Sequence, residues 1–142
     1  MIDVKVFNKS KNELPKYAKE GDSGVDLYAD EAMIIFPHSS ALIQTNIHVA
    51  IPQGYEIQIR SRSGLAYKHD IFVLNSPGTI DSGYRNSIGV LLYNAGTKNF
   101  EVEEGMRIAQ AVLCPVEQIN FIVVDSLDDS DRGQGGFGST GV

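Results

Sequence analysis

Ile71-Phe72-Val73-Leu74 and Ile88-Gly89-Val90-Leu91-Leu92-Tyr93 are two apolar runs. They flank Asn75-Ser76-Pro77-Gly78-Thr79-Ile80-Asp81-Ser82-Gly83-Tyr84-Arg85. Two such runs around a Gly/Pro/Ser-rich stretch predict two strands joined by a long hairpin. Pro77-Gly78 predicts a sharp turn, because Pro presets φ and Gly accepts a positive φ. The loop also carries an amide, a carboxylate, a phenol and a guanidinium, at Asn75, Asp81, Tyr84 and Arg85. A turn alone requires none of these.

Working outward, the same alternation recurs. Ile2, Val4 and Val6 predict a half-buried first strand, and residues 8–20 a solvated loop. Val25, Leu27 and Ala29 fall on one strand face, with Asp26 and Tyr28 on the other. Met33 to Phe36 reads as a short buried run ended by Pro37. Leu42 to Ile51 has strand character, with Ile47, Val49 and Ile51 alternating against His48 and Ala50, and Tyr55, Ile57 and Ile59 alternate with Glu56, Gln58 and Arg60. Phe100 and Val102 precede a Glu104-Gly105 turn, Ile108, Val112 and Cys114 line a further strand, and Ile119 to Val124 supply the last. The one helix candidate is Gly64-Leu65-Ala66-Tyr67-Lys68, with Ser63 as its N-cap. Turn signals about every ten residues, with almost no helical period, predict an all-β sandwich, barrel or jelly roll.

Length and composition set the outer bounds. At 142 residues, 42% hydrophobic and 21% charged, one ordinary globular domain is expected. A net charge of −6 argues against a general nucleic-acid binder, which needs a basic face. Cys114 is the single cysteine, so no internal disulfide forms and a buried inert thiol is expected. No signal pattern and no membrane-length apolar run is present, so a cytoplasmic setting without membrane contact is expected. The domain is expected over 1–127, with a flexible tail over 128–142.

Three further stretches carry chemistry. Arg60-Ser61-Arg62-Ser63-Gly64 places two guanidiniums and a hydroxyl at a helix start, a setting that attracts anions. The plain alternative is a cap with surface charge. Gln110 shares the strand parity of Ile108 and Val112, and an amide on an apolar face needs partners. A buried structural role fits it equally well. The tail Arg132-Gly133-Gln134-Gly135-Gly136-Phe137-Gly138-Ser139-Thr140-Gly141 fits either a frayed terminus or a segment that orders over an anionic ligand. Phe137 has no core to join there, so it reads as a stacking platform. From Val124 onward the chain can extend roughly 55–60 Å, far enough to reach its own site or a neighbour's. His38, His48 and His69 show no metal spacing and receive no role.

Taken together, these residues resemble the homotrimeric deoxyuridine triphosphatases (dUTPases). Five motifs occur in order. They are Gly24-Val25-Asp26-Leu27, Arg62-Ser63-Gly64-Leu65-Ala66, Gly78 to Arg85, Gly105 to Gln110, and Arg132 to Gly141. The resemblance implies a distorted β jelly roll of the β-clip type, a homotrimer, and active sites shared between subunits. It implies hydrolysis of dUTP to dUMP and pyrophosphate with Mg²⁺, limiting uracil in DNA and supplying dUMP for dTMP synthesis. By position, Asp81 is the implied base that activates water for attack on the α-phosphorus. Tyr84 packs on the deoxyribose. Asn75, with the backbone at Gly78 and Ile80, reads uracil. Arg62, Ser63, Gly64 and Gln110 contact phosphates or water, and Asp26 acts on Mg²⁺ through water. Phe137 and Gly138 cover the base, while Arg132, Ser139 and Thr140 grip the terminal phosphate.

The chemistry agrees. A carboxylate ionised at neutral pH accepts a proton weakly, so positioning supplies much of the rate. Arginines, N–H donors and a cation stabilise charge on phosphate oxygens. The chain departs from the pattern at Ser61, where proline is common, and at Asp70, Gly83, Asn86 and Ser87. Two rival functions remain in view. The related dCTP deaminases need a glutamate after the hairpin, where Val90-Leu91-Leu92-Tyr93-Asn94 has no carboxylate. A regulatory trimer that binds nucleotide without turnover is the other.

Overall fold

A computed structural model describes residues 1–141. It contains eleven strands and one short helix. In chain order the elements are β1 Lys5–Asn8, β2 Val25–Tyr28, β3 Met33–Ile35, β4 Ser39–Gln44, β5 Ile47–Ala50 and β6 Tyr55–Arg60. Then follow α1 Ser63–His69, β7 Ile71–Val73, β8 Gly78–Ile80, β9 Gly89–Asn94, β10 Phe100–Val102 and β11 Arg107–Pro115. They form a distorted jelly roll. The largest sheet has the order β2-β11-β6-β8, a second has β4-β9-β7, and β1-β5 and β3-β10 form two-stranded pieces. All the pairings are antiparallel. Among the described residues no helix is long and apolar enough to cross a membrane.

The core is one cluster made by the inward residues of both main sheets. Leu27, Ile59 and Ala109 from the first meet Ile43, Val73, Val90 and Leu92 from the second. Burying each large aliphatic side chain contributes about 1.5–3 kcal/mol relative to exposure. The buried polar groups are satisfied. Asn94 Nδ2 donates to Ile35 O and Lys98 O at 2.9 and 2.8 Å, while Asn94 Oδ1 accepts from Gly96 N. One side chain thereby closes the 94–98 turn and ties it to β3.

The predicted hairpin is real but its interior differs. β7 and β9 pair with Val73 opposite Leu92. Between them, however, Gly78–Ile80 leaves that sheet and adds as β8 to the edge of β6, Ile80 facing Ile57. Gly78 is not in the positive-φ region. Its need for glycine is spatial, since a Cβ there would lie 3.2 Å from Ile59 Cβ and 3.3 Å from Asn75 Nδ2.

Four other expectations are corrected. The first strand is exposed along its whole length, because it pairs only with β5 and nothing covers its outer edge. Ile34 and Phe36 are exposed and only Ile35 of that run is buried, since a strand offers one face to the core. Leu42 to Ile51 breaks into β4 and β5 where Asn46 adopts φ 53°, a left-handed kink that Asn tolerates. Ile119 to Val124 forms no strand; these residues run exposed beyond Pro115 and pair with no strand among the described residues. Residue 142, the last of the expected tail, lies outside the described residues.

The kink is held by Asp30. Its carboxylate accepts from Asn46 Nδ2 at 2.6 Å and from Lys11 N at 2.8 Å. Burial pushes this carboxyl up, but the Asn46 bond, the Lys11 amide and the Lys11 charge outweigh it and hold it below the ordinary 3.8. A lowered folded-state value stabilises fully above the unfolded one and is lost as pH falls through the folded one. Asp30→Asn is therefore expected to cost stability at pH 7 and to remove part of the acid-induced loss below about pH 4. Urea midpoints of both proteins at pH 7 and pH 3 check this; equal losses on acidification would clear Asp30 of the role.

Candidate functional site

The chemistry-bearing residues gather at two places on the chain. The first is a corner where β2, β11 and the β6–α1 turn meet. The register places Asp26 opposite Gln110, and Gln110 opposite Arg60. Asp26 is ion-paired twice, to Arg62 Nε at 3.1 Å and to Arg107 Nη1 at 3.6 Å. Arg62 also donates to Arg107 O. Gln110 finds the partner its position demands, donating from Nε2 to Ser61 O at 3.0 Å. Gln110 lines a cavity of about 200 Å³ with Lys16, Ser23, Gly24 and Asp26. Gly24 is required beside it, since a Cβ there would stand 2.9 Å from Gln110 Oε1 and 3.1 Å from Ala111 O.

Ser63 is the first residue of α1 rather than its cap. The N-cap is Arg62, in extended conformation and without a side-chain cap bond. Local sequence could not reveal this, because it depends on where β6 releases the chain. Ser63 and Gly64 are exposed on this turn. Arg60 points elsewhere, bonding Gln58 Oε1 through Nε and Nη2 at 3.1 and 2.8 Å. Ser61, notable in the sequence only as a departure from the family pattern, accepts from Val73 N through its hydroxyl at 2.9 Å. It so links the two main sheets beside the entry to the hairpin. No local pattern signals that contact.

The second place is the loop from Asn75 to Ser87. Asn75 lies beside Gly78, and Gly78 and Ile80 are buried in β8. Asp81 follows β8 directly and is exposed. It borders a cavity of about 660 Å³ together with Gln53, Tyr55, Glu56 and Glu117. Tyr84 N donates to Asp81 O, closing a turn that brings the two residues onto one tight loop. The Tyr84 hydroxyl donates to Ser87 O at 2.9 Å. Ser87 is buried, and its own hydroxyl accepts from Asn46 N at 3.0 Å.

The two places do not meet. The β6 register puts Asp81 one step past Ile80, level with Glu56, while Asp26 is level with Arg60. Four residues along a strand and three strand spacings across the sheet separate them by roughly 20 Å. The two cavities share no lining residue. The tail joins neither. Its hydrogen bonds are internal, such as Arg132 Nε to Gly135 O and Ser139 N to Gly136 O. Phe137 is fully exposed with φ 49°, and Gly138, Ser139 and Thr140 are also exposed. Among the described residues no three His, Cys, Asp or Glu side chains form a metal-binding group.

A jelly roll that offers an acid-and-phenol loop at one edge and an arginine-clasped carboxylate at another belongs with the nucleotide hydrolases of this fold. The family model for dUTPase matches residues 2–141, and the chain belongs to the dUTPase family. It is 58% identical over 129 residues to a deoxyuridine 5'-triphosphate nucleotidohydrolase of Picosynechococcus sp., covering 91% of each chain. It is 54% identical over 142 residues to that of Crocosphaera subtropica, covering 99% of this chain and all of the other. Among solved structures, a Staphylococcus bacteriophage 80alpha dUTPase variant with dUpNHpp superposes with a TM-score of 0.91 at 28% identity, over 99% of both chains.

The corner generates a test. Gly24→Ala should drive Gln110 from Ser61 O, because the new Cβ meets its Oε1 and the Ala111 carbonyl limits retreat. The expected result is a folded protein with the same far-ultraviolet dichroism and at least a tenfold fall in kcat/KM for dUTP. Unchanged turnover would mean that Gln110 has no part in the site.

Proposed function

We propose that this dUTP hydrolase builds each active site from more than one copy of itself, with Asp81 orienting the water that attacks the α-phosphorus. The observation that carries this reading is the roughly 20 Å between Asp81 and Asp26. A water that touches both a carboxylate and the phosphorus it attacks keeps them within about 6 Å, two hydrogen-bond lengths. The phosphate-facing corner of one chain therefore serves the Asp81 of another. The exposed apolar segment supports this. Ile119, Phe121, Ile122, Val123 and Leu127 all face solvent, which a chain relieves by covering them with a further copy. A closed ring of three copies is the assembly we infer. The ligand we infer is dUTP, in keeping with the dUpNHpp held by the phage 80alpha dUTPase variant.

In this reading Asn75 and the backbone at Gly78 and Ile80 face the uracil edge, and Tyr84 lies against the deoxyribose. Arg62, Ser63, Gly64 and Gln110 from a neighbouring corner face the phosphates. Once ligand is bound, Phe137 and Gly138 of a tail cover the base, and Arg132, Ser139 and Thr140 reach the terminal phosphate. Such a tail starts free, as its internal hydrogen bonds and the exposure of most of its residues suit. The base-like role of Asp81 rests on its exposure at the rim of the larger cavity and on the turn that ties it to Tyr84. The weak basicity of a carboxylate is offset by position.

The donor set also bears on Mg²⁺. Asp26 is a single carboxylate already held by two arginines, and the described residues offer no ligand shell of their own. That suits a hard cation brought by the triphosphate, toward which Asp26 would act through a water rather than as a direct ligand. When bound, the ion neutralises phosphate charge, which matters for a chain of net charge −6. The compartment we infer is the cytoplasm.

Incubation with dUTP or dCTP and Mg²⁺, reading pyrophosphate and ammonia, is expected to give pyrophosphate from dUTP alone. Ammonia from dCTP would point to a deaminase, and binding without product to a regulatory trimer. Asp81→Asn is expected to keep dUTP binding within about threefold and to lower kcat by about 10³-fold, typical for loss of a positioned general base. Single-turnover rates and equilibrium titration separate the two effects. Removal of residues 132–142 should leave the assembly intact by light scattering yet reduce turnover at least tenfold; an unaffected rate would make the tail a mere terminus.

A further inference from the structure

His48 lies outside every motif, yet it is the side chain that pins the return limb of the active loop. It sits on β5, and its Nδ1 lies 2.9 Å from Arg85 O, the carbonyl immediately after Tyr84. A carbonyl only accepts, so Nδ1 carries the proton and donates. The Phe7 ring from β1 packs against the imidazole at a centroid distance of 6.2 Å, tilted by 41°. Lys9 Nζ lies over that same Phe7 ring at 5.1 Å.

The contacts around it divide the loop's support into two kinds. Arg85 Nη1 donates to Ser82 O at 2.7 Å and to Tyr84 O at 3.0 Å, so the loop holds its own shape. That shape is then fixed to the body by backbone bonds at Ile88 and by three bonds that involve side chains. Ser87 Oγ accepts from Asn46 N, Ile88 O accepts from Thr45 Oγ1 at 2.7 Å, and Arg85 O accepts from His48. The first two lie at the buried root of the limb, beyond Tyr84. Of the three, the His48 bond is the one adjacent to Tyr84 in sequence. The phenol itself is tied to Ser87 O. Tyr84 is therefore held at its hydroxyl by Ser87 O and at its own backbone by Asp81 O and the Arg85 guanidinium. His48 holds the carbonyl of the next residue, and it is the contact nearest Tyr84 in sequence that ties this stretch to the body.

We propose that His48 is a positioning residue for sugar selection: by anchoring the Arg85 carbonyl it fixes the Tyr84 ring where a ribose 2′-hydroxyl has no room. This rests on the reading that Tyr84 lies against the deoxyribose. A ring free to retreat by a fraction of an ångström admits the extra oxygen, whereas chemistry at the α-phosphorus depends on Asp81. Loss of His48 therefore changes which sugar is accepted more than it changes the rate on dUTP.

The test compares the wild-type protein with His48→Ala and His48→Asn, measuring kcat and KM for dUTP and for UTP, with melting temperatures alongside. Asn carries an Nδ2 donor near the position of the imidazole Nδ1, so it is the conservative variant. His48→Ala is expected to change kcat/KM for dUTP by less than threefold and to lower the dUTP-to-UTP ratio at least tenfold, chiefly through KM for UTP. His48→Asn is expected to restore most of the ratio. If His48→Ala lowers melting temperature and both rates together with the ratio intact, the residue is merely structural and the proposal is overturned. A ratio that Asn fails to restore overturns the hydrogen bond as its cause. Tyr84→Ala separates the underlying reading from this one. If it leaves the ratio unchanged, Tyr84 does not select the sugar and both fall; if it collapses the ratio while His48→Ala does not, only the role of His48 falls.

Discussion

β6 is hydrogen-bonded on both edges to strands that carry different chemistry, and its register holds them apart. On one side it meets β11, which brings Gln110 and, one strand further, Asp26. On the other it meets β8, which delivers Asp81. A strand slipped by one residue would turn every side chain to the opposite face. The buried Ile57 and Ile59 prevent this, and so the separation of the two chemical places is as rigid as the core itself. In the assembly we propose, such a chain holds two halves of a site that serve different ligand molecules, and that geometry is the reason for assembly.

The corner around Asp26 shows how charge is arranged before any ligand arrives. Two arginines converge on one carboxylate that is only partly exposed. Solvent-accessible pairs of this kind contribute little stability, about 0–1 kcal/mol. Their value is geometric. Asp26 draws the two guanidiniums together at the corner that also carries Gln110, which in the proposed reading sets donors in place for an anion. Ser61 extends the same logic. Its carbonyl holds Gln110 and its hydroxyl holds the buried strand that leads to the hairpin. A proline at this position has no such hydroxyl.

The regions left without partners are equally informative. β1 has an open edge, the segment after Pro115 exposes a run of large aliphatic and aromatic residues, and the tail bonds only to itself. Open edges and apolar segments are liabilities in a monomer. They concentrate at the chain's two ends, away from the closed core, which is where the proposed assembly would cover them.

Much of this is legible in the residues alone. Alternation at Val25 to Ala29 and at Tyr55 to Arg60 marks the strands, because a sheet with one buried face imposes a period of two. The Gly-rich motifs and their order point to the family, because glycines and charged groups at close quarters have few other uses. What local pattern cannot carry is the partner of each group. Gly78 reads as a turn glycine, yet what demands it is the Ile59 side chain packed against it. Ser63 reads as a cap, the run from Ile119 to Val124 as a strand, and His48 as a residue without a role. Each depends on atoms distant in sequence: a neighbouring strand's Cβ, the point where β6 lets go, the lack of any strand pairing beyond Pro115, the carbonyl of Arg85. Sequence determined which chemistries this chain carries, since side-chain type fixes what can donate, accept or stack. Tertiary structure alone decided that they are kept roughly 20 Å apart, because that distance is set by strand register.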